Sequence, residues 1–251
     1  MRIFWHERVM NMSIMVLRSN SALDYAAQTL TSMGLNVTDA PCEDVNHLLL
    51  PVPSFSGGSK YITPILAQIP KSITVSGGNL DHLVLENYRT VDFLKDPYYL
   101  ASNAAITARC AAGLVEKDFH KLPVLILGWG RIGKCLGQIL RQAGADVTIA
   151  ARRDADLAMI RALGMHCVSV GQVADTLMHY RVIYNTVPEM ILPDIVCHPD
   201  CVPVELASKP GMSGCNIISG RGLPGKYAPE QSGKLIAETF VRLSLRREDI
   251  L

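Results

Sequence analysis

The sequence has little net charge and few aromatic residues. Its 24 Lys and Arg residues nearly balance 23 Asp and Glu residues, which leaves a net charge of +1, and aromatic residues make up only 6%. Long basic runs are missing, as are basic stretches interleaved with aromatic residues, and both are typical of proteins that bind nucleic acids. We therefore expect no binding to nucleic acid or to an anionic membrane.

Long apolar runs are also missing, since no segment reaches the roughly 18 consecutive apolar residues that a membrane-spanning helix needs. Residues 1–8 mix charged with apolar residues and do not form an apolar signal sequence. The seven cysteines are scattered and odd in number, which favours buried thiols in a reducing compartment over a disulfide framework. These features predict a soluble, cytoplasmic protein.

A metal site is not expected. Cys197, His198 and Cys201 lie close together in the sequence, but a zinc site needs about four ligands, and no second Cys-x-x-Cys or histidine pair accompanies them. The sequence also lacks the Gly-x-Ser-x-Gly motif of hydrolases and the Walker lysine motif of nucleoside triphosphatases.

The sequence does contain a regular alternation of short apolar runs and helical segments, which is typical of α/β proteins with parallel sheets. We predict two Rossmann-like domains with a cleft between them: a flavodoxin- or Rossmann-like domain over residues 1–100 and a nucleotide-binding Rossmann domain over residues 121–225. Residues 101–120 are expected to form a connecting, alanine-rich cleft helix. Residues 226–251 are expected to form a helix that packs back towards the first domain.

The predicted strands follow the apolar runs. Four strands are predicted in the first domain, at residues 13–17, 35–38, 47–51 and 72–76, and the last of six in the second domain is predicted at residues 215–218. Ser19 or Asn20 is placed to cap the first helix.

The most informative motif is a Gly-x-Gly-x-x-Gly sequence that lies between a predicted strand and a predicted helix, as in a dinucleotide-binding βαβ unit. Its first glycine allows a tight turn, the second lets the backbone approach a pyrophosphate, and the third lets the helix pack on the sheet. The helix N-terminus adds unpaired N–H groups for the phosphates. The predicted cofactor-binding residues are Gly128, Trp129, Gly130, Arg131, Ile132 and Gly133.

The end of the next strand indicates which dinucleotide binds. NAD-binding proteins usually carry an acidic residue there that accepts hydrogen bonds from the ribose, whereas this sequence has Arg152 and Arg153. Two guanidinium groups suit a 2′-phosphate, so we predict NADP. Asp154 follows directly and leaves NAD possible, and a solvated basic loop is the alternative interpretation.

Two further loops follow strands of the second domain, where open α/β sheets bind ligands. The backbone of the first would flank the nicotinamide ribose, and this loop consists of Asn185, Thr186, Val187 and Pro188. The second loop contains Ser208 and Lys209. Lys209 is a candidate for binding a substrate carboxylate or for proton transfer, although a surface lysine in a turn is an equal alternative.

These stretches, in this order, resemble the family of dipicolinate synthase A subunits over about residues 13 to 240. The resemblance is carried by residues 125–133 (LILGWGRIG), 185–188 (NTVP), 205–211 (ELASKPG) and 222–229 (GLPGKYAP), with support from residues 48–53 (LLLPVP) and 103–108 (NAAITA). The combination of ASKPG with LPGKxAP is the more specific part.

The resemblance implies a fold like that of D-2-hydroxyacid dehydrogenases and an enzyme that works in the mother cell of sporulating bacteria. The family oxidises the cyclic product of dihydrodipicolinate synthase to pyridine-2,6-dicarboxylate, passes hydride to NADP, and acts with a flavoprotein-like dipicolinate synthase B subunit.

The resemblance also implies site residues. Asn103 and Thr107 in the cleft helix join Lys209 as catalytic candidates, and Ser208, Lys209 and Lys226 are candidates for binding the two carboxylates. Residues 222–229 are expected to form a loop over the cleft.

The sequence departs from the family near the expected substrate site and is shorter, mainly in its first domain. Residues 18–20 (RSN) replace a glycine-rich segment, Arg109 replaces an acidic residue, and residues 210–215 (PGMSGC) replace a Gly-Gly-Thr-Asp type of loop. Two alternatives stay open: another NADP-dependent oxidoreductase of a small carboxylate, or a catalytically silent nucleotide-binding partner protein. A homo-oligomer is expected by analogy, and Met10 or Met12 as the start of translation.

Overall fold

The computed structural model describes residues 12–214 and 216–245. Met10, one of the two candidate start positions, lies outside this range. The chain divides into two compact units, one formed by Met1–Asn103 with Ala228–Leu251 and the other by Ala104–Tyr227.

The secondary structure alternates between strands and helices along the chain. The strands are β1 (Ser13–Val16), β2 (Asn36–Thr38), β3 (Val45–Leu49), β4 (Thr74–Gly77), β5 (Arg89–Asp92), β6 (Pro123–Leu127), β7 (Asp146–Ala151), β8 (His166–Ser169), β9 (Val182–Asn185), β10 (Val202–Glu205) and β11 (Ile218–Ser219). The helices are α1 (Ser21–Ser32), α2 (Thr63–Leu66), α3 (Pro97–Gly113), α4 (Arg131–Gln142), α5 (Asp154–Ala162), α6 (Leu223–Tyr227) and α7 (Pro229–Ser244).

The first unit is built on a parallel sheet with the order β2-β1-β3-β4-β5, which is the flavodoxin-like order. Four of its strands lie where the sequence predicts them. The fifth, β5, is not predicted, because it is a short edge strand (RTVD) with no buried residue and therefore lacks an apolar run.

Two helices of the first unit pack closely, namely α1 and α7. Asn20 caps α1, as the sequence predicts, and accepts a hydrogen bond from the Leu23 N–H at 3.1 Å. Gly233 of α7 faces α1, where a Cβ would clash with the Ala22 carbonyl oxygen and would lie 2.6 Å from the Tyr25 Cβ. The C-terminal helix therefore belongs to the first unit.

The second unit is built on a parallel sheet with the order β11-β10-β9-β6-β7-β8. This is the doubly wound Rossmann order, in which ligands bind where the strand order reverses, between β6 and β9. The two parallel α/β sheets confirm the predicted fold class.

Two predictions for the end of this unit need correction. Residues 223–227 form the short helix α6 and not a loop, since Gly222 has a positive φ of 69° and the Lys226 N–H donates to the Gly222 carbonyl. The sixth strand is Ile218–Ser219, slightly later than residues 215–218, and residue 215 lies outside the described part of the chain.

The cysteines in the described part of the chain are free, but they are not fully buried as the sequence predicts. Of the six whose surroundings are described, Cys42 is exposed and the others are half-buried. No helix within residues 12–214 or 216–245 is long and apolar enough to cross a membrane.

Candidate nucleotide and substrate site

The glycine turn joins β6 to α4 and is made almost entirely of backbone. Gly128 has a φ of 102°, a region that favours glycine, and its N–H donates to the Ala150 carbonyl at 3.0 Å. A Cβ at Gly128 would lie 2.7 Å from both the Thr186 Oγ1 and the Val187 Cγ2. The turn therefore packs directly against the loop that follows β9.

The other two glycines give the turn its shape. A Cβ at Gly133 would clash with the Gly128 carbonyl oxygen, whereas nothing lies within 4 Å of a Cβ placed at Gly130. Gly130 is also the N-cap of α4, and no side chain caps the helix there. Open space beside an uncapped helix N-terminus is the arrangement that holds a pyrophosphate, so these residues fit the phosphates of a dinucleotide.

The remaining residues of the motif differ in exposure. Ile132 and Trp129 are half-buried and pack against the core of the second unit. The Lys134 Nζ lies 5.6 Å from the centre of the Trp129 ring, and Arg131 is exposed at the start of α4. Ile132 and Trp129 therefore support the turn, while Arg131 is open to solvent.

Both predicted arginines make ion pairs. Arg152 pairs with Glu189, which lies 37 residues later in the chain. Arg153 donates two hydrogen bonds to Asp156, at 2.7 and 2.9 Å. These bonds raise the pKa of Arg153 and lower that of Asp156. Neither acidic partner is predicted from the sequence, although the i,i+3 spacing of Asp156 would have revealed it.

The loop after β9 is anchored to β6. The Thr186 N–H and Oγ1 both donate to the Leu127 carbonyl, at 3.0 and 2.8 Å. Asn185 is completely buried, and its side chain accepts from the Val187 N–H at 3.0 Å and donates to the Val187 carbonyl at 2.9 Å. The buried Asn185 side chain thus holds the shape of this loop, and Pro188 of the same loop is exposed to solvent.

A buried carboxylate links this loop to the next one. Glu205 is 8% exposed, and its oxygens accept from Asn185 Nδ2 at 2.8 and 2.9 Å and from the Ala207 N–H at 2.9 Å. The N–H groups of Gly211 and Met212 also donate to it, at 2.8 and 3.2 Å. Although Glu205 belongs to the ELASKPG motif, the sequence does not reveal this role.

The loops after β10 and β11 carry cationic side chains, and one hydrogen bond joins the two loops. Ser208 and Lys209 are exposed, and the Arg221 Nη2 donates to the Ser208 carbonyl at 2.5 Å. The Lys226 Cε lies 4.0 Å from a Cβ position at Gly222, the residue after Arg221. Arg221 is a site candidate that the sequence motifs do not predict, and its place directly before the GLPGK motif is the signal that could have found it.

The catalytic candidates of α3 lie on either side of the division between the units. Asn103 is half-buried in the first unit, and Thr107 is buried in the second, so their catalytic roles stay predictions. Within the described parts of the chain, no group of three or more His, Cys, Asp or Glu side chains could hold a metal ion.

The strand order together with the glycine turn defines an NAD(P)-binding, oxidoreductase-like Rossmann fold. The ketopantoate reductase PanE/ApbA family matches residues 124–195, which run from β6 through the loop after β9. This match covers the residues that would hold a nicotinamide nucleotide.

Most of the chain is similar to the dipicolinate synthase A subunit, which confirms the resemblance seen in the motifs. The protein of that name from Bacillus subtilis (strain 168) is 24% identical over 240 residues, covering 83% of this chain and 80% of the relative. The solved structure of the dipicolinate synthase A subunit from Bacillus halodurans superposes with a TM-score of 0.79 at 20% identity, covering 93% of this chain and 98% of the other. A transhydrogenase from Sinorhizobium meliloti shares the fold, with a TM-score of 0.72 at 14% identity over 96% and 86% of the two chains.

Proposed function

We propose that this chain is the A subunit of a dipicolinate synthase and uses NADP. The observation that carries the proposal is the order of three groups along one sheet edge. The arginines follow β7, the glycine turn follows β6, and the cationic loops follow β10 and β11. Neighbouring strands lie about 4.8 Å apart, so β7 and β10 are separated by about 14 Å, a distance that an extended dinucleotide can span with its 2′-phosphate at one end and its nicotinamide at the other.

The cationic end suits a dicarboxylate substrate. Lys209, Arg221 and Lys226 would bind the two carboxylates of the cyclic product of dihydrodipicolinate synthase, since guanidinium and ammonium groups form strong hydrogen bonds with carboxylates. Bound at the glycine turn, NADP would supply the hydride acceptor. Formation of an aromatic ring favours loss of hydride and a proton. The chain therefore has mainly to orient the substrate against the nucleotide and to bind its carboxylates.

The remaining parts of the proposal follow from the resemblance in the motifs and, for the oligomer, from analogy with enzymes of this fold class. Lys209 is the candidate proton acceptor, with Asn103 and Thr107 as orienting groups. A flavoprotein-like B subunit is the proposed partner, and the chain is proposed to form a homo-oligomer. The reaction belongs to sporulation, in the cytoplasm of the mother cell.

The test is an ultraviolet assay for dipicolinate. The purified chain receives freshly made dihydrodipicolinate synthase product with NADP or NAD, in the presence and in the absence of a candidate B subunit. NADP-dependent formation of dipicolinate is the expected result. Clear NADPH binding without product in any combination would reject this reaction and favour another small carboxylate or a silent partner protein.

A further inference from the structure

The ion pair between Arg152 and Glu189 joins two loops that are not neighbours in the sheet. Arg152 follows β7 and Glu189 follows β9, and β6 lies between these strands. The pair therefore bridges about 10 Å, two strand spacings, across the carboxyl end of β6. The glycine turn begins at that same strand end, where the nucleotide would lie.

Arg153 differs in this respect. Its partner Asp156 lies three residues away in the first turn of α5, so that this pair is local and does not cross β6. The side chains of Arg152 and Glu189 are 59% and 62% exposed. Neither is held by packing, and the pair can open without disturbing the core.

A 2′-phosphate and the Glu189 carboxylate require the same donors. Both are anions that accept hydrogen bonds from a guanidinium, and the phosphate carries the greater charge. Arg152 cannot offer its full set of donors to both.

We propose that Glu189 competes with the 2′-phosphate of NADP for Arg152, so that this ion pair must open before NADP binds. The inference rests on the proposed use of NADP. It makes Glu189 a specificity-determining residue that weakens binding of the phosphorylated nucleotide and leaves NAD largely unaffected.

The competition is measurable with fragments that lack nicotinamide. Calorimetry gives the Kd of 2′,5′-ADP and of 5′-AMP for the wild type, Glu189→Gln, Arg152→Ala and the double variant, with Glu116→Gln as a control that removes one exposed acid elsewhere in the second unit. We expect Glu189→Gln to tighten 2′,5′-ADP binding by about three- to fivefold, because the ion pair that must open is solvent-exposed and such pairs contribute effects of this size. Binding of 5′-AMP should change by less than about twofold.

The double variant separates competition from simple repulsion. With Arg152 replaced by Ala, Glu189→Gln should change the affinity for 2′,5′-ADP by less than about twofold. Equal tightening in both backgrounds, or no tightening in either, would overturn the inference. The wild-type Kd values test the proposed cofactor separately. If the wild type binds 2′,5′-ADP no more tightly than 5′-AMP, the use of NADP is contradicted. If a preference for 2′,5′-ADP over 5′-AMP is found only in Glu189→Gln, the competition is still supported.

Discussion

The glycine turn after β6 and the paired loops after β9 and β10 are held in shape by different kinds of contact. The turn is shaped by glycines, and its N–H groups are the proposed binding surface for the phosphates. The paired loops are shaped by one buried carboxylate, Glu205, which collects hydrogen bonds from Asn185 and from three backbone N–H groups.

The two regions differ in the kind of substitution that they tolerate. A backbone-built site fails when a side chain is added, because the added atoms fill the space of the ligand or of the turn itself. A site built around a buried carboxylate fails when that side chain is removed, because buried N–H groups then lose their acceptor. Substitutions that add or remove one group can therefore distinguish the two designs.

The largest effect is expected for Glu205→Ala. The change leaves several buried N–H donors without an acceptor, and we expect the free energy of unfolding to fall by about 3–4 kcal/mol. Urea denaturation measures the loss, with Glu116→Gln as a control that removes an exposed carboxylate from the same unit. A loss below about 1 kcal/mol would show that the loops do not depend on Glu205.

Gly130→Ala should separate binding from folding. Nothing lies within 4 Å of the added Cβ, and the φ of −79° suits alanine, so stability should change by less than about 1 kcal/mol. The methyl group would occupy the space for the pyrophosphate, and NADPH binding should weaken by about tenfold or more, a loss of at least 1.4 kcal/mol. Fluorescence titration with NADPH and a thermal melt measure the two effects.

Gly133→Ala is the matched comparison, because its Cβ would clash with the Gly128 carbonyl. This variant should lose both stability and NADPH binding. If Gly130→Ala binds NADPH as tightly as the wild type, the phosphates do not lie at this turn.

The sequence predicts the backbone-built region far better than the side-chain-built region. Glycine spacing between an apolar strand and a helix reflects a backbone shape directly, so the sequence predicts the turn together with its flanking strand and helix. The edge strand β5 is not predicted, because its residues are not buried and its sequence therefore lacks an apolar run.

Contacts across the sheet are what the sequence cannot reveal. Glu189 lies 37 residues from Arg152, and Glu205 lies 20 residues from Asn185. Only the parallel strand order brings each pair together. Arg221 belongs to the same group, because its contact with the Ser208 carbonyl depends on β11 lying beside β10.

Arg221→Met should affect the substrate and spare the nucleotide. Methionine keeps the apolar stem and removes the guanidinium, so one charge-assisted interaction with a carboxylate is lost. We expect KM for the dicarboxylate to rise by about tenfold or more, as the loss of about 1.5 kcal/mol or more implies, while the Kd for NADPH stays within about twofold. Equal weakening of both ligands would indicate a structural role for Arg221 in holding the loop after β10.

The smallest effect is expected for Tyr184→Phe, just before the loop that Asn185 shapes. The buried Tyr184 hydroxyl donates to the Ala111 carbonyl of α3 at 3.3 Å, and losing this long hydrogen bond should cost about 0.5–1 kcal/mol at pH 7. Burial raises the pKa of Tyr184 above its usual range, so the hydroxyl stays neutral in the folded protein while it ionises in the unfolded chain above about pH 10. The wild type should therefore lose its advantage as pH rises through that range, and urea denaturation at pH 7 and pH 10.5 measures both effects. An advantage that stays constant over this interval would show that the hydroxyl ionises equally in both states and is not sealed from water.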